Sequence, residues 1–522
     1  MNFLKTNKIL IHIFILAAVT ATVYFGNFSN SFSYTDDYKE IVTNKLVNPA
    51  VSDALEIFTD INSFHFYVPL KHFANYWLNI VSYFNPHVSH LASDILHVFN
   101  VILCYLVILK LSKSYRIAFL TALFFAVAPV GSNAVNEIAA RGHLFTAFFG
   151  LSSFLCYMLA DSAGLKHNQD KHFIALSFIL YFIGLFFWPT IIVLPVLFLV
   201  YEVIRHPESR ITTLRDRPVS GSAVSIFKGK MLKQVQHDKT IKKIFFRLLP
   251  FAIAAIAVAA LNLYISHLRH AEETQSAVFD NGMILFFKLF GWSSIYKVPY
   301  LAGQYLFYSF VPPFFDIVFA PPLFPFWTGR AEYLLKIGLL DGFAALCILA
   351  YFKNKMSILS LAIFAAFLFP GMFVMYKTEL ISLRYMYFAS IGVFFGVFAF
   401  LEYYVFPKIK TSYAKGLAAL ALGLWFAFFS VNSFVRKHEW RNPQSVTNAM
   451  LENKGLAEVW GWVLKIKWEP DLEGMLKYLY NAKAALEKNK AGYELQYDLV
   501  NQNIEGRIAY INKVSAKTSG KR

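Results

Sequence analysis

The chain has 522 residues, 57% of them hydrophobic and only 16% charged, with 55 phenylalanines and a formal net charge of +17. Soluble domains carry about 25% charged residues, so this composition, with a mean hydropathy of +0.47, excludes a soluble globular protein. The excess of Lys and Arg is not a nucleic-acid footprint, because it sits in short connections between apolar runs: Lys110, Lys113 and Arg116; Lys353 and Lys355; Lys408, Lys410 and Lys415.

Runs of about 20 apolar residues cross a bilayer as helices. In chain order they predict spans at 9–26, 92–111, 117–132, 144–160, 173–188, 190–204, 248–267, 334–352, 357–375, 385–404 and 416–433. The fold class is therefore an all-α, polytopic helical membrane protein with about eleven transmembrane helices. The first run, behind Lys5 and Lys8, reads as an uncleaved signal-anchor. Connections rich in Lys and Arg alternate with poor ones, which places the N-terminus in the cytoplasm and the C-terminus outside it.

Residues 1–433 form the transmembrane domain in this reading, with a first external loop at 27–91 and a second at 268–333. The aromatic stretch "HFYVPLKHFANYWLNIVSYF" suits a helix in the headgroup region. The five prolines of "FVPPFFDIVFAPPLFPFW" exclude a regular helix there. Residues 205–247 carry eleven Lys or Arg against three acidic residues and read as a basic cytoplasmic loop or insertion beside anionic lipid. After Ser433 the chain turns polar, and 434–522 reads as a small extracytoplasmic helical domain. Cys104, Cys156 and Cys347 all lie in apolar runs, which suggests neither a disulfide framework nor a zinc site.

Chemistry-bearing residues collect at the external side. Asp36 and Asp37 open the first external loop; a wet loop is the ordinary reading of such a pair. Asp94, His97 and Asn100 fall along one side of the second span, as glue between helices or as the lining of a cavity. Glu137, Arg141 and His143 crowd one short connection, and Lys377, Glu379 and Arg384 another. A guanidinium at the lipid boundary either snorkels into headgroups or grips an anionic one with its fork.

Taken in order, these stretches resemble the C-type glycosyltransferases, specifically the transmembrane-and-tetratricopeptide-repeat O-mannosyltransferases and their bacterial relatives. The family's Tyr-Asp-Asp pattern, followed by Ile and Asn, is similar to "YTDDYKEIVTN", with one residue inserted before Asp36. "YVPL", "SHLASDILHVFN", "APVGSNAVNEIAARGH", "LRYMYFASIG" and "VRKHEWRNP" resemble further family segments, in the same order and spacing over most of residues 30–445. The family's two histidines, glutamate and final aspartate in the third–fourth connection become Ala128, Gly131, Asn133 and His143. A Lys-Glu pair is replaced by Trp188-Pro189, and the C-terminal repeat array is reduced to a short segment.

The resemblance implies a GT-C fold and transfer of a sugar, mannose or another hexose, from a polyprenyl-phosphate donor to an acceptor hydroxyl on a protein or glycan. It implies a general base at Asp36 or Asp37 and stabilisation of the leaving phosphate by Arg141 and Arg384. Glu137, His143, Asp94, His97 and Lys377 would support the cavity. A divalent cation at the acidic pair is compatible with this scheme but not required by it, and no other cofactor is implied. A transporter or lipid flippase is the competing class. Such proteins usually carry ionisable groups deep within spans or broken helices in repeated halves; here mid-span charges are few, Asp341 being the clearest. A catalytically degenerate relative is the third alternative.

Overall fold

The computed structural model describes residues 2–33, 36–50, 52–60, 66–160, 167–205, 242, 244–265, 294–311, 330–378, 382–452, 456–488 and 494–519. No strand occurs among them. The helices are α1 (Asn2–Tyr24), α2 (Glu56–Thr59), α3 (Pro69–Ser82), α4 (Pro86–Ser112), α5 (Tyr115–Val127), α6 (Pro129–Asn136), α7 (Arg141–Leu159), α8 (His167–Phe187) and α9 (Leu194–Arg205). They continue with α10 (Ile244–Ile265), α11 (Ser294–Phe310), α12 (Arg330–Lys353), α13 (Leu359–Thr378), α14 (Met386–Phe400) and α15 (Ser412–Glu439). The C-terminal region holds α16 (Pro443–Glu452), α17 (Leu456–Lys465), α18 (Leu472–Lys488) and α19 (Glu494–Ser519).

Among the described residues nine helices are long and apolar enough to span a membrane, and the bent pair α5–α6 makes up to a tenth. The predicted eleven differ for two local reasons. The 117–132 run is not one straight helix: Pro129 cannot donate a backbone hydrogen bond, Ala128 before it is extended, and the chain bends by 56° there. The 190–204 run begins as a 3₁₀ turn after Pro189, leaving α9 with 12 residues. At 1.5 Å per residue that is roughly 18 Å, short of the ~30 Å hydrocarbon core.

Local signals set the helix starts. Asn85 accepts a hydrogen bond from the His87 N–H ahead of Pro86, Ser114 caps α5, and Thr411 caps α15. The bundle interior is aromatic and aliphatic, as where Phe124 meets Phe398, Trp425 and Phe429. Outward residues such as Leu10, Ile11 and Phe14 are apolar and exposed, the inverse of a soluble surface.

The two ends of the bundle differ in charge. At one end lie the basic connections: Asn354 Nδ2 donates to the carbonyls of Leu111 and Ser112, Lys353 stands over Tyr404, and Lys8 over Tyr115. The other end carries the acidic residues described below. Helix α3 stands there with an unusual polarity: Lys71, His72, Asn75 and Asn79 face inward, while Trp77 and Val81 face out. The predicted second external loop contains α11; its proline-rich stretch beyond Val311 and the stretch "MILFFKLFGW" lie outside the described residues, as does most of the basic 205–247 segment. Helices α17 to α19 close a second small core around Val459, Val463, Leu479, Leu486, Ile504 and Ile508. The three cysteines are unpaired.

Candidate functional site

The acidic pair splits into two roles by geometry. Asp37 is buried and accepts three hydrogen bonds: Oδ1 from the Ala139 N–H at 2.7 Å, and Oδ2 from the Ser33 N–H and hydroxyl, each at 3.0 Å. It pins the segment around Ser33 to the turn between α6 and α7. Burial pushes its carboxyl up to about 6, against the opposing pull of the Ala139 and Ser33 donors.

Asp36, beside it, has 46% of its side chain accessible and receives a hydrogen bond from Arg384 Nη1 at 2.8 Å. Burial of its inner part alone would raise its carboxyl; the Arg384 guanidinium, helped by Lys71 and Lys39, outweighs this and holds it below the ordinary carboxylate value. The same Nη1 reaches Glu137 Oε2 at 3.3 Å, and Glu137 is only 3% exposed. Asp36, Glu137 and Arg384 therefore form one carboxylate–guanidinium–carboxylate group at the acidic end. It assembles because Glu137 caps the short α6 broken at Pro129, and because Arg384 lies in the 3₁₀ turn that leads into α14. Gly371 makes room for that turn: a Cβ there would lie 2.6 Å from the Tyr385 ring.

Arg141 is placed differently. It is fully buried and donates to Ser93 Oγ at 3.0 Å, Asn75 Oδ1 at 2.9 Å and the Ser89 carbonyl at 2.6 Å. All three partners are neutral, and the side chain braces α3 and α4 against α7. His97 is likewise built in. The Ala126 carbonyl can only accept, so Nε2 donates to it at 3.1 Å, and Nδ1 accepts from the Tyr387 hydroxyl at 2.6 Å. Asn100 completes the knot by donating to Tyr387 Oη and the Leu144 carbonyl. Asp94 turns away from His97 and accepts from Asn27 Nδ2 at 2.8 Å. Lys377 falls in the last turn of α13, and its side chain lies outside the described residues.

His143 stands in an aromatic corner, 5.3 Å from the Trp188 ring and 5.1 Å from Tyr385, edge-on to the latter. Gly142 permits this, since a Cβ there would lie 2.6 Å from the Trp188 ring. Trp188 also carries the Lys71 ammonium over its ring at 4.7 Å, and Lys71 forms an ion pair with Glu40. Lys71 and Glu40 were not legible as site residues: a lone Lys after Pro69 in an aromatic stretch reads as a surface residue, yet its side chain is 1% exposed. Trp188 is thus capped by a Lys-Glu pair whose members both come from the 27–91 segment. Asn133 and Asn136, on α6 beside Glu137, keep buried amide groups without a hydrogen-bond partner among the described residues. Among the described residues no group of three or more His, Cys, Asp or Glu side chains is arranged to hold a metal ion.

No family model matches the chain, and no curated protein does. Solved structures similar to it include the Archaeoglobus fulgidus oligosaccharyltransferase tethered to an acceptor peptide containing the NVT sequon, at 14% identity and a TM-score of 0.44 over 88% of this chain and 59% of that one. A second is the archaeal oligosaccharyltransferase AglB from the same organism in complex with an inhibitory peptide and a dolichol-phosphate, at 14% identity and a TM-score of 0.46 over 87% and 59%. The chain therefore spans less than two thirds of the length of those oligosaccharyltransferase chains.

Proposed function

We propose that the protein is a membrane glycosyltransferase of the C type, moving a hexose from a polyprenyl-phosphate donor to a hydroxyl of a protein or glycan on the extracytoplasmic face. One observation carries the reading: Asp36 and Glu137 meet on the Arg384 guanidinium at the end of the bundle opposite the basic connections. The ordered resemblance to the O-mannosyltransferases supports the same assignment.

In this scheme Asp36 is the general base and Asp37 a positioning residue, because Asp37 spends both oxygens on Ala139 and Ser33 while Asp36 keeps an accessible edge. The acceptor oxygen attacks the sugar's anomeric carbon, its proton passes to Asp36, and the anomeric carbon–oxygen bond to phosphate breaks. Arg384 stabilises the leaving polyprenyl phosphate. Until a phosphate reaches Arg384, that guanidinium holds Asp36 and keeps it a weak base. The arriving phosphate competes for the same donors and releases the carboxylate. Arg141, expected with Arg384 to stabilise the leaving phosphate, has its guanidinium buried on Ser93, Asn75 and Ser89, so in this scheme it is instead the clamp that orients α7. A divalent cation at the acidic pair does not fit this arrangement, since Asp37 is fully hydrogen-bonded and Asp36 faces Arg384.

The test is release of polyprenyl phosphate from a panel of polyprenyl-phosphate hexoses incubated with the purified protein and membranes of the producing cells. Transfer that depends on Asp36 is expected; lipid movement without transfer would identify a transporter instead. The topology follows in the same experiments. A reporter fused after Ser433 should be active only outside the cytoplasm, and one placed within 210–240 only inside.

A further inference from the structure

Around the Trp188 ring the structure gathers buried nitrogen groups with few partners among the described residues. The Lys71 ammonium lies over the ring, and the His143 imidazole lies against it. His143 Nε2 and the Trp188 indole N–H are both buried with no hydrogen-bond partner among the described residues, and His143 as a whole is 5% exposed. Among the described residues the anion paired with Lys71 is Glu40, from the same segment as Asp36, with 27% of its side chain still in water. A buried ammonium whose anion is a partly solvated carboxylate, beside a Trp188 indole N–H and a His143 ring nitrogen that both lack a partner among the described residues, describes an anion site with a stand-in occupant. A buried ammonium is costly to keep, and replacing such a pair by apolar residues is often neutral for stability, so stability alone does not account for it.

We infer that Lys71, His143 and Trp188 form the second half of the donor's phosphate site, with Glu40 as an internal anion that the lipid phosphate displaces. This rests on the glycosyltransferase reading above. Arg384 would hold one side of the phosphate through its planar fork and Lys71 the other as a point charge. His143 links the two halves, since it packs against Trp188 on one side and against Tyr385, the neighbour of Arg384, on the other. Displacement of Glu40 parallels that of Asp36: each cation exchanges a carboxylate of the first external loop for the substrate's phosphate.

The experiment uses the full chain in nanodiscs and a polyprenyl monophosphate of defined length as the probe, with inorganic phosphate as competitor. Lys71→Gln should weaken binding about ten-fold, the equivalent of one charge-assisted hydrogen bond. Glu40→Gln, which removes the competing anion, should tighten binding several-fold, and this gain should vanish in the Lys71→Gln background. A purely bracing ion pair predicts the opposite for Glu40→Gln, because its loss loosens the loop. Unchanged or weaker binding in Glu40→Gln, or unchanged binding in Lys71→Gln beside a large loss in Arg384→Ala, would overturn the inference and leave the glycosyltransferase reading standing. Failure of the unaltered protein to bind the lipid phosphate would overturn both. Equal competition by inorganic phosphate would show a free-phosphate site and overturn the lipid assignment. If Lys71→Gln does not fold, the Glu40→Gln result decides alone.

Discussion

Replacing Asp36 and Asp37 by asparagine, one at a time, should separate chemistry from architecture. Asp36 meets Arg384 with 46% of its side chain accessible, so the pair is largely screened and its stability contribution is below about 1 kcal/mol. Asp36→Asn should therefore leave the unfolding temperature nearly unchanged. It removes the proton acceptor, however, and general-base loss costs about 10²- to 10⁴-fold in rate, or roughly 3–5 kcal/mol of barrier. Asp37→Asn is the reverse case. The asparagine amide nitrogen must face either the Ser33 donors or the Ala139 N–H, where buried donors oppose each other at a cost of about 1–3 kcal/mol. Its loss of activity should come with a measurable loss of stability. Thermal unfolding in nanodiscs and single-turnover release of polyprenyl phosphate measure the two quantities side by side. Full transfer in Asp36→Asn would refute the assignment, and so would a stable but inactive Asp37→Asn beside an active Asp36→Asn.

Arg384→Ala should weaken lipid-phosphate binding and slow transfer together. It should also destabilise the protein, by up to about 3–5 kcal/mol, because it removes the Arg384 guanidinium from the buried Glu137; Arg384→Lys should restore the stability but only part of the binding, measured by lipid titration. Gly142→Ala places a methyl group 2.6 Å from the Trp188 ring, so unfolding assays should show an overpacking cost of about 1–3 kcal/mol, with donor binding weakened alongside. The Asp37 carboxyl lies at about 6 in the folded chain against 3.8 ordinarily. A raised acid favours folding most below its unfolded value, and the benefit is lost as pH climbs through about 6. Relative to Asp37→Asn, the unaltered protein should therefore lose stability as pH rises from about 4 to about 6, and change little above that.

The hydrophobic periods predicted most of the spans, because crossing a bilayer depends on length and composition that a run of residues carries by itself. They missed the break at Ala128-Pro129, although the proline was visible, because a continuous apolar run outweighed it. From the residues alone the meeting of Asp36, Glu137 and Arg384 could be anticipated only as shared sidedness, and their sharing of one cavity only through the resemblance: the residues lie 101 and 247 positions apart in succession, and no local pattern encodes which carboxylate a guanidinium will choose. The buried state of Arg141 was hidden for a related reason. Its partners Asn75, Ser89 and Ser93 are small neutral groups on other helices, and they leave no charge signature. Lys71 was obscured by the inverted polarity of α3, whose outward apolar face reads in sequence as the only face that matters.

The loop that carries Asp36 is gripped from two directions by the C-terminal segment. The Ser31 N–H donates to the Arg441 carbonyl at 2.9 Å, Asn30 Nδ2 donates to the Lys437 carbonyl at 3.1 Å, and the Lys467 ammonium stands 5.2 Å over the Tyr38 ring. Tyr38 directly follows Asp37 in the chain. The stretch from Lys437 to Lys467 thus holds the loop, and deleting it would remove the handle on its carboxylates. The link also runs both ways. If the acidic end binds a donor as proposed, any shift of Lys437, Arg441 or Lys467 that alters that binding is matched by an equal effect of donor occupancy on the shift.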